Sequence, residues 1–115
     1  MANDCLFCKI IDGSIPATII DQSHDALAFR DISPQAPTHI LVIPKIHITS
    51  TRELTDENSN YLLKVMKLAQ KISETEGIKK TGFRWVINTG DDGGQTIDHL
   101  HLHLLGGRQM IWPPG

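Results

Sequence analysis

The chain has 115 residues, of which 40% are hydrophobic and 21% are charged, and its formal net charge is −2 at pH 7. This length suits a single domain over residues 1–115, and the apolar fraction is too high for a disordered chain. With no broad basic surface, we expect no nucleic-acid binding. We expect no membrane segment and no signal peptide, since no apolar run approaches about 20 residues. Two cysteines without an export signal indicate reduced thiols in a cytoplasmic protein.

The first part of the chain is predicted to contain a short helix and three strands. Apolar residues at helical spacing predict the helix over residues 5–12. Short strands are predicted over residues 18–20 and 26–31, followed by a proline-rich loop at 33–37. Residues 39–43 are almost wholly apolar and lie between prolines, which predicts a central strand that is buried on both faces.

The clearest predicted element is a long helix in the middle of the chain. We expect Thr55 to cap it, Asp56 and Glu57 to favour its positive end, and Gly77 to follow its last turn. Its apolar face is predicted to consist of Leu62, Leu63, Val65, Met66, Leu68, Ala69 and Ile72.

The last part of the chain is predicted to hold two more strands. These cover residues 83–89 and 96–105, with a glycine-rich turn at 90–94 between them, and residues 106–115 are predicted to be irregular. Strands grouped around one long helix predict an α+β fold with a mostly antiparallel sheet.

Three of the six histidines lie within five residues, at positions 99, 101 and 103. In a strand, alternate side chains share a face, so these imidazoles would project together, about 6–7 Å from one to the next. They could be structural histidines, a catalytic zinc site, or a row that faces a phosphate. The interpretation as a phosphate-facing row is favoured, because an imidazole can act as a nucleophile, a general acid or base, or a hydrogen-bond donor. The preceding glycine-rich segment can also offer N–H groups to an anion.

The pair Cys5-x-x-Cys8 is a weak signal by itself. It is compatible with half of a metal knuckle, a redox pair or two small packed residues. No βαβ pattern surrounds the pair, so a redox role is disfavoured. A zinc site would need two further ligands.

Blocks of sequence along nearly the whole chain resemble the histidine triad (HIT) family, in its Hint branch of nucleoside phosphoramidases. The strongest block is GGQTIDHLHLHLLGGRQM at residues 93–110, and the others are CLFCKII at 5–11, FRDISPQAPTH at 29–39, VIPK at 42–45 and WPPG at 112–115. The resemblance implies a HIT-like fold with a five-stranded sheet, one long helix and one short N-terminal helix. It also implies a homodimer whose sheet runs across both protomers.

The resemblance also implies residue roles. His101 would be the nucleophile that forms a nucleotidyl-histidine, His103 would hydrogen-bond the α-phosphate, Asp31 would accept the ribose hydroxyls and Asn88 would orient the nucleotide. Gly94, Gln95 and Thr96 would surround the phosphate, and Leu6, Phe7, Ile10, Phe29 and Ile32 would wall the base pocket. Supporting positions beside the site would be His39, His99 and Trp112, with Trp112 reaching the partner's site. An equally good interpretation of His39 is a satisfied histidine at the start of a core strand.

The activity that the resemblance implies is hydrolysis of a purine nucleoside 5′-phosphoramidate, of the adenosine monophosphoramidate type, to release AMP. No cofactor would be needed for catalysis. The alternatives are a dinucleoside polyphosphate hydrolase or nucleotidyltransferase of the same family, or a nucleotide-binding regulatory protein. Some bacterial relatives combine such cysteines with two histidines, here His47 and His99, which implies a structural zinc held with Cys5 and Cys8. The alternative for the cysteines is plain packing against the sheet.

Two positions depart from the family pattern. Thr96 stands where many relatives carry serine, and Asp98 stands where relatives often carry an aromatic residue or histidine. A carboxylate facing a phosphate would repel it, so we expect Asp98 to face outward or to pair with a cation. Both departures leave the preferred leaving group open.

Overall fold

The computed structural model describes residues 4–115. Its elements are α1 (Leu6–Ile11), β1 (Ile19–Gln22), β2 (Ala26–Arg30), β3 (Thr38–Pro44), α2 (Asn60–Thr75), β4 (Phe83–Val86), α3 (Gly90–Gly93) and β5 (Leu102–Gly106). The strands form one antiparallel sheet in the order β1-β2-β3-β5-β4. The predicted α+β fold with a five-stranded antiparallel sheet is therefore confirmed. Within residues 4–115, no helix is long and apolar enough to cross a membrane.

The sheet separates two hydrophobic clusters, one on each face. On one face, α2 packs Val65, Leu68, Ala69 and Ile72 against Ala26, Ala28, Ile40, Val42, Leu102 and Leu104. On the other face, Phe7 of α1 packs against Leu27, Phe29, Leu41 and Ile43. Every residue of β3 is buried because both faces of this central strand are covered, as the apolar run predicts.

The long helix starts later than the sequence predicts. Thr55 does not cap it, because the backbone N–H groups of Asn58 and Ser59 bond to Thr55 in a separate turn that precedes α2. The helix begins at Asn60 after Ser59, whose side chain makes no capping hydrogen bond. Its end agrees with the prediction, since Gly77 follows the last turn with φ +74°. Leu63, placed on the apolar face, is 52% exposed.

The last strand is much shorter than predicted. Only Leu102–Gly106 pairs with neighbouring strands, whereas residues 96–101 lie outside the sheet. The pairing with β3 stops at Val42 opposite Leu102. Beyond that point, the carbonyl of Pro44 accepts a hydrogen bond from the His99 ring, and the Leu100 N–H donates to the carbonyl of Ile48. Side-chain and loop contacts therefore replace the strand ladder here.

Smaller differences lie in the other strands. The predicted strand at 83–89 ends at Val86, and the glycine-rich segment contains the single helical turn α3. The first strand is shifted to Ile19–Gln22 and carries an irregularity between Ile19 and Asp21.

The segment that follows β5 holds the proline-rich loop. Gly107 has φ +88°, and a Cβ there would lie 2.9 Å from the Pro37 ring, so the backbone passes this loop more closely than a side chain would allow. The Arg108 Nε–H donates to the carbonyl of Gln35 at 3.0 Å. These contacts fix the loop that leads into β3.

Candidate active site

Helix α1 brings an apolar surface to the histidine face of the sheet. Cys5 caps this helix, because its Sγ accepts the backbone N–H of Cys8 at 3.4 Å. The Phe7 ring then lies edge-on to Phe29 and to His101, with centroid distances of 5.4 and 5.2 Å. One wall of the candidate site is therefore aromatic and excludes water from one side of His101.

His101 is buried and held by the backbone. Its Nδ1 lies 2.7 Å from the carbonyl oxygen of His99, so Nδ1 carries the proton and donates it. The Nε2 atom of a neutral ring is then an unprotonated nitrogen with a free lone pair. The ring centroid of His103 lies 5.0 Å away. An imidazole with an unprotonated nitrogen therefore lies next to a second imidazole.

His103 belongs to a chain of polar groups. Its Nδ1 lies 2.9 Å from Nε2 of His39, and Nδ1 of His39 accepts the backbone N–H of Gln35 at 3.0 Å. Oδ2 of Asp31 lies 3.4 Å from Nε2 of His39. Nε2 of His103 is buried and has no hydrogen-bond partner among the described residues. This nitrogen is available to a ligand.

Burial keeps these imidazoles neutral. Burial, with the nearby His101 and His39, lowers the pKa of His103 to about 4, against a weaker opposing effect of Asp31. Burial also lowers the pKa of His39, and again the Asp31 carboxylate opposes the change. Both rings are thus uncharged near neutral pH, so each has one N–H donor and one acceptor.

The six residues predicted to bind base and ribose all lie around one apolar cavity of about 160 Å³. They are Leu6, Phe7, Ile10, Phe29, Asp31 and Ile32. Phe7 and Phe29 are buried, whereas Ile32 is 99% exposed at the rim. Asp31 is the carboxylate of this cavity, and its Oδ1 accepts the Ser33 N–H. An apolar cavity with one carboxylate suits a flat ring joined to a hydroxylated group.

The segment predicted to bind phosphate is held together by its own polar groups. The Gln95 side chain accepts the Gly90 N–H and donates to the carbonyls of Thr49 and Ile97. The N–H groups of Gly94 and Gln95 close the turn of α3. Gln95 therefore braces this loop, and its contact with a phosphate stays a prediction. Thr96, the third residue predicted to surround the phosphate after Gly94 and Gln95, is exposed. Within residues 4–115, its backbone N–H and its hydroxyl have no hydrogen-bond partner.

The remaining predicted residues lie at different places. Asn88 lies half-buried between β4 and α3, beside Gly93. Asp98 is exposed, as its charge predicts. Trp112 is 82% exposed in the C-terminal segment, so its contact with a partner stays a prediction.

Cys5, Cys8, His47 and His99 form a second cluster. One potential ligand atom from each residue lies within 4.8 Å of all the others. The distances from sulfur to Nδ1 are 3.4 Å for Cys5–His99, 3.3 Å for Cys8–His47 and 3.6 Å for Cys8–His99. Tetrahedral zinc with ordinary bond lengths separates such atoms by about 3.5 Å, so the cluster fits a zinc ion.

The protonation of His99 also suits a metal ligand. Its Nε2 donates to the Pro44 carbonyl at 2.9 Å, which leaves Nδ1 unprotonated toward the two thiols. His99 is fully buried, and burial lowers its pKa to about 4. Without a metal, partial burial and the adjacent Cys5 raise the pKa of Cys8 to about 11. A bound zinc would instead favour the thiolates.

Several groups around the site were not identified from the sequence. Leu41 lines the apolar cavity, and its position two residues after His39 in a strand is the periodic signal that could have placed it there. Ile15, Pro16 and Ala17 line the same cavity from the turn after α1. The backbone N–H of Gln35 and the backbone carbonyl of Pro44 could not be identified from the sequence. Every residue has a backbone carbonyl, and every residue except proline has a backbone N–H.

Comparisons with known proteins identify the class to which this fold and this histidine cluster belong. A family model described as the HIT domain matches residues 12–110, and the chain belongs to the HIT domain family. The chain is 47% identical over 110 residues to a purine nucleoside phosphoramidase of Escherichia coli, covering 96% of this chain and 92% of that protein. It is 50% identical over its full length, and over that of the relative, to an uncharacterised HIT-like protein of Synechococcus elongatus.

Solved structures agree with this assignment. The crystal structure of a HIT family hydrolase from Legionella pneumophila superimposes with a TM-score of 0.95 at 52% identity, covering 97% of this chain and 100% of that one. A histidine triad protein from Clostridium difficile gives a TM-score of 0.91 at 42% identity, covering 94% of each chain. The resemblance seen in the sequence is thereby confirmed at the level of the family.

Proposed function

We propose that this protein hydrolyses the P–N bond of purine nucleoside 5′-phosphoramidates, of the adenosine monophosphoramidate type, through a nucleotidyl-histidine on His101. The base and ribose would occupy the apolar cavity beside α1, with Asp31 accepting the ribose hydroxyls. The α-phosphate would lie between His101, His103 and Thr96. The overall reaction takes one phosphoramidate and one water to AMP and a free amine.

The reaction follows two displacements at phosphorus. In the first, Nε2 of His101 forms a bond to the α-phosphorus, and the P–N bond breaks as the amine leaves with a proton taken from solvent. In the second, water attacks the same phosphorus and returns one proton to solvent, the bond to His101 breaks, and AMP is released with the histidine restored. The N–H of His103 stabilises the charge that grows on the non-bridging oxygens in both transition states.

The observation that carries this proposal is the hydrogen bonding of His101, which ties one ring nitrogen and leaves the other free. Its Nδ1 is tied to the His99 carbonyl at 2.7 Å, which leaves the Nε2 lone pair free in a ring whose centroid lies 5.2 Å from that of Phe7 and 5.0 Å from that of His103. A structural histidine would have both nitrogens satisfied. The 47% identity to a purine nucleoside phosphoramidase supports the same substrate class.

The stereochemistry at phosphorus tests the covalent route. A chiral adenosine thiophosphoramidate hydrolysed in isotopically labelled water should give retention, because two in-line displacements each invert the phosphorus. Inversion would mean direct attack by water and would overturn the role of His101.

The substrate panel tests the reaction class. Steady-state turnover of an adenosine phosphoramidate should exceed that of a diadenosine polyphosphate, while AMP competes with both. A preference for the polyphosphate would move the protein to the dinucleoside polyphosphate hydrolases. Tight nucleotide binding with no turnover of either compound would favour a regulatory nucleotide-binding protein.

The cluster of Cys5, Cys8, His47 and His99 is proposed to hold a structural zinc. The close spacing of the four ligand atoms and the hydrogen bond from His99 to the Pro44 carbonyl support it. When bound, zinc would tie α1 to the loop that precedes β5. The catalytic step needs no cofactor, because the nucleophile and its hydrogen-bond donor are both protein side chains.

A cytoplasmic homodimer is proposed as the working form. Strand β4 lies at an edge of the sheet, and Leu63 on α2 is exposed, so both surfaces are available for pairing. A single domain of this size also buries a modest core by itself. Sedimentation at micromolar concentration should give twice the chain mass, and a monomer would refute the pairing.

A further inference from the structure

We infer that two backbone groups of opposite polarity set His101 and His103 in opposite tautomers, and that His39 is the positioning residue that transmits this setting to His103. His101 then carries its proton on Nδ1 and His103 on Nε2. One imidazole offers a lone pair and its neighbour offers an N–H, at the same time and without any charge. This inference deepens the proposed function and rests on it for its catalytic meaning.

The backbone N–H of Gln35 can only donate, and it lies 3.0 Å from Nδ1 of His39. Nδ1 of His39 must therefore accept, so a neutral His39 carries its proton on Nε2. That nitrogen lies 2.9 Å from Nδ1 of His103. Nδ1 of His103 accepts in turn, and the proton of a neutral His103 is on Nε2.

The tautomer of His101 is determined by a backbone carbonyl, which accepts a hydrogen bond, whereas that of His103 is determined by a backbone N–H, which donates one. The carbonyl of His99 can only accept, and Nδ1 of His101 donates to it at 2.7 Å. The two rings lie two residues apart in the chain with centroids 5.0 Å apart. Nothing in their own sequence positions would make them differ. The difference comes from what lies behind each ring: a carbonyl for His101, and an amide with an intervening imidazole for His103.

The unpartnered nitrogen supports this arrangement. Nε2 of His103 is buried without a hydrogen bond to any described residue. A buried N–H without a partner is unfavourable, so its presence calls for a ligand. A phosphate oxygen, which only accepts in its charged form, is the group that such a donor fits. The low pKa of His103 keeps this donor neutral, with His101, His39 and Asp31 as the titratable groups that face it.

Asp31 competes for the same proton. Its Oδ2 lies 3.4 Å from Nε2 of His39, compared with 2.9 Å for Nδ1 of His103. Hydroxyl groups of a bound ribose would donate to Asp31 and weaken this competition. With the nucleoside bound, the Nε2 proton of His39 would then be donated mainly to Nδ1 of His103. A larger fraction of His103 would in turn carry its own proton on Nε2. Occupation of the ribose site would thereby prepare the phosphate site.

The primary test reads the tautomers in the unmodified protein. In ¹⁵N-histidine-labelled, ligand-free protein at pH 7.5, nitrogen–proton correlation spectra should show His101 protonated at Nδ1 and His103 at Nε2. The six histidines are assigned with single variants, including His24→Asn on the surface. Equal tautomers for His101 and His103, or a charged His103, would overturn the inference. This measurement needs no substrate, so it stands apart from failure of the proposed activity.

Two variants of His39 test the transmission. His39→Leu keeps an apolar body but removes both nitrogens, so the Nε2 tautomer of His103 should lose its dominance and kcat should fall about 10- to 100-fold, with little change in KM. His39→Gln supplies an amide N–H toward His103 and should restore much of kcat. If His39 only fills space, both variants would leave the His103 spectrum unchanged and would lower kcat alike.

Discussion

At the scale of single residues, the proposed function gives His101 and His103 different chemical roles. His101→Ala should abolish turnover, because it removes the nucleophile and with it the covalent route. His103→Ala should lower kcat by about 10² to 10³-fold, as expected for one lost hydrogen-bond donor to a transition state. Both variants should still bind AMP, since the apolar cavity and Asp31 are untouched.

Steady-state kinetics and calorimetric titration with AMP measure these two effects. His24→Asn is the matched control, because the His24 side chain is 98% exposed and its one hydrogen-bond partner among the described residues is Asp25. An active His101→Ala enzyme would return the histidine row to the structural or zinc interpretation.

Protonation of His103 should make stability depend on pH. Its pKa is lowered from 6.5 to about 4 in the folded protein, so between these values the unfolded chain binds a proton that the folded protein does not. The contribution is fully present above pH 6.5 and is lost as the pH falls toward 4. The full contribution of His103 to the free energy of unfolding is at most about 3.4 kcal/mol.

Urea unfolding at pH 7.5 and pH 5 checks this dependence. The wild-type protein should lose more free energy of unfolding between the two pH values than His103→Gln, and His24→Asn should behave as the wild type. Equal losses in His103→Gln and wild type would show that His103 is not the group responsible.

At the scale of elements, the end of β5 is packed against the segment that follows α2. A Cβ on Gly106 would lie 2.6 Å from Cδ1 and 3.3 Å from Cβ of Ile78, which is buried. Gly106→Ala should therefore cost about 1–3 kcal/mol of stability, as overpacking does in other cores. Ile78→Val removes Cδ1, so the double variant should recover part of this loss.

A double-mutant cycle by chemical unfolding measures this coupling. Gly115→Ala is the control glycine, because no atom lies within 4 Å of its added Cβ. Simple additivity of Gly106→Ala and Ile78→Val would argue against direct contact between the two positions.

The strands differ in how well the sequence predicts them. Thr38–Pro44 is recognisable because a central strand with both faces covered is apolar throughout. The alternation of histidine and leucine from 99 to 104 predicts a longer strand than exists, because a period of two describes extended backbone whether or not a partner strand is present. Pairing with β3 ends at Leu102, and this limit depends on the tertiary structure. Thr55 likewise has a capping side chain but caps a different turn.

The candidate site shows the same division between side chains and backbone. Residues whose chemistry resides in a side chain, such as His101, Asp31 and Phe7, are recognisable in the sequence, and the structure brings them together. The resemblance places Gln95 beside the phosphate, and its side-chain amide also donates to the carbonyls of Thr49 and Ile97 within the loop, a bracing role that its sequence position does not reveal. The backbone N–H of Gln35, by contrast, cannot be recognised in the sequence, because every non-proline residue has one.

At the scale of the whole molecule, metal removal should loosen the connection between α1 and the catalytic segment. Protein purified without added metal should contain one zinc per chain. A chelator should lower its Tm, because the cluster joins helix α1 to residues 47 and 99. Cys8→Ser should reproduce the lower Tm and should no longer respond to the chelator. Zinc-free protein whose Tm is indifferent to chelator would leave the cysteines as packing.

The hydrogen bond from Arg108 to Gln35 predicts that substitutions at position 108 affect turnover. Gln35 is held at its carbonyl by this exposed arginine and at its N–H by His39, so a residue outside the nucleotide cavity helps to decide where the catalytic imidazole keeps its proton. In a saturation mutagenesis map selected on turnover, Arg108 should score between the active-site residues and Lys80, which is likewise exposed and should tolerate most changes. Purified Arg108→Ala should keep its stability and its affinity for AMP, yet lose several-fold in kcat. A neutral Arg108 profile would mean that the proline-rich loop keeps its shape without help from the carboxyl-terminal segment.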